Sequence, residues 1–232
     1  MVVLHYTAMA TAEAALARLC DPVAEVSAHY VIAEDGRLWR LVDEAERAWH
    51  AGVSSWGAVR DVNSHSIGVE LANTGVHPFP EPQMAALAWL LAGVIGRWEI
   101  RPERVVGHAC VAPGRKVDPG ARFDWRRLAR QGATVWLDAA PDAARAGSRP
   151  PTPPGRSAAG AAEPKAFRAA ASRFGYSVST AGDWDAEALA VWQAFALRFR
   201  PYEAGAPPTA EGVTHLTALA ERWPVDPSPA LA

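Results

Sequence analysis

The sequence predicts an α/β (α+β) protein: a mixed central β-sheet flanked by helices, followed by a small three-helix C-terminal domain. Two observations predict the sheet. Short apolar runs rich in β-branched residues alternate with helical segments, and two of these runs flank a hairpin signal. A third observation predicts the added domain, because a proline-rich stretch separates the last three helical segments from the rest of the chain.

The first half of the chain supplies the sheet. "MVVLHYT" is an apolar β-branched run that predicts a buried strand ending near His5, and "TAEAALARLCD" is helical with Thr11 as its N-cap. Two β-type runs around Asp35-Gly36 predict a hairpin with its turn at that dipeptide. Three later segments are a strand over 65–73, a helix over 81–98 and a strand over 104–109. Glycines and prolines then predict a loop over 107–120.

The chain divides into three predicted parts. Residues 1–140 form the sheet domain, and residues 141–164 are too rich in proline and alanine to bury a core, which predicts a linker. Residues 165–225 contain three helical segments with apolar spacing near 3.6, which predicts a small three-helix domain.

Composition excludes several classes of function. The formal net charge of −2 gives no reason to expect a nucleic acid or an anionic membrane as partner, and two cysteines cannot build a disulfide framework. No apolar run is long enough for a transmembrane helix, and the N-terminus lacks the pattern of a signal peptide. For the sequence as written we expect a cytoplasmic protein. If the N-terminus is truncated, a location in the cell envelope is also compatible with the sequence.

Three residues could hold a metal ion. His5 and His108 each lie at the end of a predicted strand, and Asp118 follows ten residues after His108 in the loop. Three such ligands match an open catalytic zinc site, where water takes the fourth position. By spacing alone the signal is weak, because a single histidine at a strand end is more often a hydrogen-bonded polar residue than a metal ligand.

Two further residues could carry chemistry. Glu70 interrupts the apolar run "SIGVELAN", so it is either a buried carboxylate with a raised pKa that acts as a general base, or the solvent-facing side of the strand. Lys116 lies two residues before Asp118 and could stabilise an oxyanion, or it is a surface lysine. Cys110 could be a ligand or a nucleophile, but no paired cysteine supports either role, and an idle thiol is the alternative.

Aromatic and polar residues near these positions predict a groove for an extended or sugar-containing ligand. The candidates for substrate binding are His29, Trp49, His50 and Asn63. Alternatively, all four residues are structural and occupy core or turn positions.

Four blocks of the sequence resemble a known family. "VVLHYTAM", "VSAHYVIAEDGRLWRLV", "RAWHAGVSSWGAVRDVNSHSIGVELAN" and "VVGHACVAPGRKVDPGARFDWRRLA" are similar to the zinc-dependent N-acetylmuramoyl-L-alanine amidases of the AmpD/AmiD type, which are related to peptidoglycan recognition proteins. The C-terminal segments "RFGY" and "WQAFALRFRP" resemble the helical peptidoglycan-binding-like domain of the AmiD branch. Cys110 departs from the family, which usually has an acidic residue there.

The resemblance implies roles for the candidate residues. It implies Zn²⁺ held by His5, His108 and Asp118, Glu70 as the catalytic acid and base, and Lys116 at the oxyanion. The implied reaction is cleavage of the amide between N-acetylmuramic acid, or its anhydro form, and L-alanine. Peptidoglycan or muropeptide fragments are the expected partners, and we expect a monomer. The alternatives are a non-catalytic module that binds muropeptides and, less favoured still, a thiol hydrolase that uses Cys110.

Overall fold

The computed structural model describes residues 1–138 and 162–226, and its centre is a five-stranded mixed sheet. The strands are β1 (Val2–Tyr6), β2 (Tyr30–Ile32), β3 (Leu38–Arg40), β4 (Ile67–Leu71) and β5 (Val105–Gly107). Their order across the sheet is β3-β2-β4-β1-β5, and every neighbouring pair is parallel except β2 and β3.

The two central strands are buried because both faces of the sheet are covered. In β1, Val2, Val3 and Leu4 are fully buried, as expected for a parallel strand with helices on both sides. β1 pairs with β4 in a register that sets His5 opposite Glu70. The sheet therefore brings two of the predicted site residues to the same level on adjacent strands.

The hairpin predicted at Asp35-Gly36 joins β2 to β3. Gly36 has a φ of +88°, a left-handed conformation that glycine adopts without steric cost. The Ala33 N–H donates to the Arg37 carbonyl at 2.9 Å and closes the turn. The hairpin adds the antiparallel edge strand.

The helices of the described residues cover both faces of the sheet. They are α1 (Ala12–Leu19), α2 (Glu81–Trp98), α3 (His108–Val111), α4 (Trp125–Arg130), α5 (Pro164–Phe174), α6 (Ala186–Phe199) and α7 (Ala210–Arg222). Thr11 caps α1 as predicted, because its hydroxyl accepts a hydrogen bond from the Ala14 N–H at 3.1 Å. Within the described residues, no helix combines the length and apolar character needed to cross a membrane.

Residues 107–120 are not entirely a loop. His108–Val111 forms one turn of helix, closed by the Ala112 N–H on the His108 carbonyl at 3.0 Å. The prediction of a loop was wrong for these four residues, because Ala109, Cys110 and Val111 pack in the core while the turn satisfies their backbone. Gly107 is the last residue of β5, and residues 112–120 contain no strand or helix.

The three predicted C-terminal helices are present as α5, α6 and α7, and they pack directly against the sheet domain. Buried Arg198 of α6 donates to the Thr134 hydroxyl at 2.8 Å and to the Val105 carbonyl at 3.3 Å. Its guanidinium also lies 4.4 Å from the Trp125 ring centroid. The two parts of the chain therefore share one hydrophobic core.

The predicted linker over 141–164 falls mostly outside the described residues. Its last residues are described: Glu163 caps α5, which begins at Pro164. The division into 1–140, 141–164 and 165–225 stays a prediction.

Candidate active site

His5, His108 and Asp118 come together at the carboxyl ends of the two neighbouring strands β1 and β5. His5 is the fourth residue of β1, His108 directly follows β5, and Asp118 lies in the loop after α3. The Nδ1 atoms of the two histidines are 2.9 Å apart, and Asp118 Oδ2 is 3.0 Å from His5 Nδ1 and 3.1 Å from His108 Nδ1. All three side chains are buried.

The backbone around Asp118 holds this arrangement. The Ala109 N–H donates to the Asp118 carbonyl at 2.9 Å, which ties the loop to the helical turn that carries His108. Gly107 precedes that turn, and a Cβ atom there would lie 2.6 Å from Pro119 Cδ. Glycine at this position therefore lets β5 and the Asp118 loop approach each other closely.

The donor set fits a metal ion. His108 Nε2 lies 3.1 Å from the Ala51 carbonyl, which can only accept, so Nε2 carries the hydrogen and Nδ1 presents a lone pair. That lone pair faces an Asp118 oxygen that is also an acceptor, and a cation bound between the two atoms would satisfy both. Ligands of a tetrahedral zinc ion lie about 3.3 Å apart, slightly more than the distances here.

Electrostatics keep His5 and Asp118 in the protonation states that a metal requires. Burial and the neighbouring His108 imidazole lower the pKa of His5 to about 4, so His5 is neutral at pH 7. Burial opposes the charge of Asp118, but the adjacent His108 and His5 imidazoles hold the pKa of this carboxyl well below its usual range. Asp118 is therefore an anion.

Glu70 lies beside this cluster on β4. The residue is half-buried, but its Oε2 atom is fully buried and has no hydrogen-bond partner among the described residues. Burial, with the Asp118 charge as a second cause, raises the pKa of Glu70 to about 8, while Lys116 opposes the shift. A carboxyl group that gains and loses a proton near neutral pH suits a general acid and base.

Lys116 is exposed at the rim of the cluster. Its charge lowers the pKa of both His5 and Glu70, so its ammonium lies close enough to act on the site. The structure thus brings Glu70 and Lys116 to the same place as the three metal-ligand candidates.

The four predicted groove residues divide into two groups. His29, His50 and Asn63 are buried and make hydrogen bonds within the protein. His29 Nε2 donates to the Glu46 carbonyl at 3.0 Å, and its Nδ1 accepts from the Gly68 N–H at 2.9 Å. Trp49 is 57% exposed, with the Arg47 guanidinium 4.5 Å from its ring centroid. Among the four, Trp49 has the surface that a ligand could contact.

The sequence did not single out two residues that support the site. Ser66 Oγ lies 3.2 Å from His50 Nε2, and an Arg115 guanidinium nitrogen donates to the carbonyls of Ala51 and Val53 at 2.5 and 2.7 Å. Serine and arginine in polar segments carry no pattern that distinguishes such contacts. Cys110, in contrast, is buried with its Sγ 3.8 Å from the Tyr176 hydroxyl, so it has no surface for a substrate.

A mixed sheet, with two histidines and an aspartate that converge beside its strand ends, defines an α/β protein with a buried side-chain cluster that fits a metal ion. A family model described as N-acetylmuramoyl-L-alanine amidase matches residues 1–121. The chain belongs to this amidase family.

The chain is similar to the N-acetylmuramoyl-L-alanine amidase AmiD of Escherichia coli, with 36% identity over 97% of this chain and 84% of that protein. A solved complex of that AmiD with its substrate, anhydro-N-acetylmuramic acid-L-Ala-D-gamma-Glu-L-Lys, superposes with a TM-score of 0.79 at 36% identity, over 96% of this chain and 89% of that one. AmpDH3 from Pseudomonas aeruginosa has a TM-score of 0.79 at 30% identity, covering 97% and 92%. The predicted family, fold class and amidase function are confirmed.

Proposed function

We propose that this protein is a zinc-dependent hydrolase that cleaves the amide bond between N-acetylmuramic acid, or its anhydro form, and L-alanine in peptidoglycan fragments. The observation that carries the proposal is the buried convergence of His5, His108 and Asp118 beside the unpartnered carboxyl of Glu70. The similarity to AmiD, whose solved complex contains an anhydromuropeptide, supports the choice of substrate.

His5, His108 and Asp118 would hold the zinc ion through two imidazole nitrogens and one carboxylate oxygen. This donor set suits zinc, which binds imidazole and carboxylate readily and keeps an open position in catalytic sites. When bound, zinc supplies Lewis acidity, which polarises the scissile carbonyl and acidifies water.

Glu70 would move the proton. Its raised pKa, about 8 in the metal-free protein, lets the carboxyl take a proton from the attacking water and return it to the alanine nitrogen as the C–N bond breaks. Because its buried oxygen has no donor within the described residues, Glu70 is not committed to a structural hydrogen bond.

Lys116 would stabilise the negative charge that develops on the carbonyl oxygen. The ammonium acts on the pKa values of both His5 and Glu70, which supports a position near the cluster, and it is exposed enough to meet a bound substrate. Trp49 offers an exposed ring at the surface of the His50 segment, which suits stacking on a sugar ring.

The domain organisation is part of the proposal. Residues 1–140 would be the catalytic domain, residues 141–164 the linker and residues 165–225 a peptidoglycan-binding-like domain. The shared core around Arg198 supports a fixed position of the three helices against the catalytic domain.

The test is to incubate the purified protein with anhydromuropeptides and with cross-linked peptidoglycan, with and without a chelator, and to measure free stem peptide by mass spectrometry. We expect release of peptides with a free L-alanine amine, loss of release with the chelator, and recovery when zinc is added back. Release that is insensitive to chelation would contradict the metal-dependent reaction. Absence of peptide release with metal bound would favour the alternative, a non-catalytic module that binds muropeptides.

A further inference from the structure

We propose that His50 and Asn63 are positioning residues for the metal site rather than substrate contacts. In this proposal the dipeptide His50-Ala51, held by Asn63, orients the imidazoles of both His5 and His108. It rests on the proposed function in one respect only, which is that His5 and His108 are taken as metal ligands.

Each ligand histidine uses its second nitrogen to contact this dipeptide. His5 Nε2 lies 3.0 Å from His50 Nδ1, and His108 Nε2 lies 3.1 Å from the Ala51 carbonyl. The Nδ1 atoms of the two ligands are left to face Asp118. The dipeptide thus contacts both histidines on the side away from the metal position, through the His50 imidazole at His5 and through the Ala51 carbonyl at His108.

The hydrogen-bond donors follow one another in a chain, from His5 to His50, from His50 to Ser66 and from Ser66 to the Val62 carbonyl. The Ser66 hydroxyl donates to the Val62 carbonyl at 2.5 Å, so its oxygen is free to accept from His50 Nε2 at 3.2 Å. His50 then carries its hydrogen on Nε2, and its Nδ1 is an acceptor for the N–H of His5. His5 is thereby held with its hydrogen on Nε2 and a lone pair on Nδ1. This is the state that a metal ligand needs, and an outer hydrogen bond of this kind fixes ligand orientation.

Asn63 fixes the dipeptide itself. Its Oδ1 atom accepts from the His50 N–H at 3.1 Å and from the Ala51 N–H at 2.8 Å. Both lone pairs of one amide oxygen are therefore used on consecutive peptide groups. All of these contacts are buried, so solvent cannot replace a lost partner at low cost.

The neighbouring strand leaves room for this arrangement. Gly68 lies in β4 beneath the His50 ring, and a Cβ atom at Gly68 would lie 2.4 Å from His50 Cγ. The Gly68 N–H is in turn bound by His29 Nδ1 at 2.9 Å, which makes His29 part of the same support. Three of the four residues predicted to bind substrate therefore surround the metal site from inside the protein.

Two pairs of variants test the proposal. Asn63→Leu removes the oxygen that accepts from the dipeptide, whereas Asn63→Asp keeps one. His50→Phe removes the acceptor for His5, whereas His50→Asn places an amide oxygen near the position of Nδ1. We expect Asn63→Leu and His50→Phe to weaken binding of Zn²⁺ and Co²⁺ about 10–100-fold, measured by competition with a chromophoric chelator, and the conservative variants to recover most of the affinity. His77→Phe, an exchange at a histidine outside this cluster, is the matched control and should bind metal like the wild type.

A second measurement needs no variant. The ¹⁵N chemical shifts of the histidine rings in the metal-free, full-length protein report which nitrogen carries the hydrogen. We expect Nε2–H for His5, His50 and His108. A different tautomer at His50, or unchanged metal affinity in a folded His50→Phe protein, would overturn the proposal. Failure of the wild type to bind metal would instead contradict the proposed function, because the tautomers are measured without metal.

Discussion

His5 and Glu70 are register partners on the two central parallel strands of the sheet. Residues opposite each other in a parallel pair point to the same face, so an imidazole with a lowered pKa and a carboxyl with a raised pKa lie side by side. Asp118 acts on both side chains. It contacts His5 directly, and its charge adds to burial in raising the pKa of Glu70. The sheet register therefore places the proposed proton carrier, Glu70, directly beside the proposed metal ligand His5.

Replacing Glu70 by Gln should separate metal binding from catalysis. The amide has the same shape but cannot carry the proton, so we expect kcat on an anhydromuropeptide to fall about 10²–10⁴-fold. Bound zinc, measured by atomic emission, should stay equal to that of the wild type, since Glu70 is not in the donor set. Full activity in the variant would rule out this role for Glu70.

The raised pKa of Glu70 should also appear in the stability of the metal-free protein. The folded chain keeps the Glu70 proton up to about pH 8, while the unfolded chain releases it near 4.5. In this window the folded state binds more protons, so the free energy of unfolding should fall as pH rises. Histidines with lowered pKa values, such as His5, act in the opposite direction below about pH 6.5.

Glu70→Gln isolates this contribution, because the histidines remain. Urea unfolding of both proteins with a chelator present, from pH 4 to pH 9, gives the difference curve. We expect the wild type to lose stability relative to the variant between about pH 4.5 and pH 8, with no further change above that range. A flat difference curve would show that Glu70 titrates like an exposed carboxyl.

Much of the site could be predicted from the sequence because its residues lie at strand ends. The apolar runs that end at His5 and at Gly107 locate two candidate ligands, and the carboxylate within β4 makes Glu70 a candidate base; the resemblance to the amidase family supplied the roles. The helical turn at His108–Val111 was missed because glycines and prolines around it indicate a loop, whereas burial of its side chains favours a compact turn.

The roles of His50 and Asn63 could not be read from the chain. Their partners lie 45 and 12–13 residues away, and a polar residue in an irregular segment gives no periodic signal. The same applies to Arg198, which reaches Thr134 from 64 residues away. A polar side chain predicted to line a groove can equally be satisfied inside the protein, and tertiary contacts alone distinguish these outcomes.

Lys116 offers a test of charge stabilisation in the transition state. Lys116→Met keeps most of the length of the side chain and removes the ammonium, so kcat should fall about 10²–10³-fold with a smaller change in KM. Lys165 is the matched control: it is an exposed lysine on α5, and Lys165→Met should leave both constants unchanged. A raised KM with an unchanged kcat would assign Lys116 to ground-state binding of the substrate.

Trp49 should contribute to binding rather than to the chemical step. Its ring is exposed next to the buried His50, so a bound sugar can stack on it without disturbing the hydrogen bonds behind it. We expect Trp49→Ala to raise KM about 5–30-fold for a substrate that carries the muramic acid ring, consistent with the loss of about 1–2 kcal/mol of aromatic contact, and to leave kcat nearly unchanged. Trp89→Ala, at a tryptophan on α2 that is 72% exposed, is the control for loss of an exposed ring. A drop in kcat with unchanged KM, or an equal effect of Trp89→Ala, would contradict a sugar contact at Trp49.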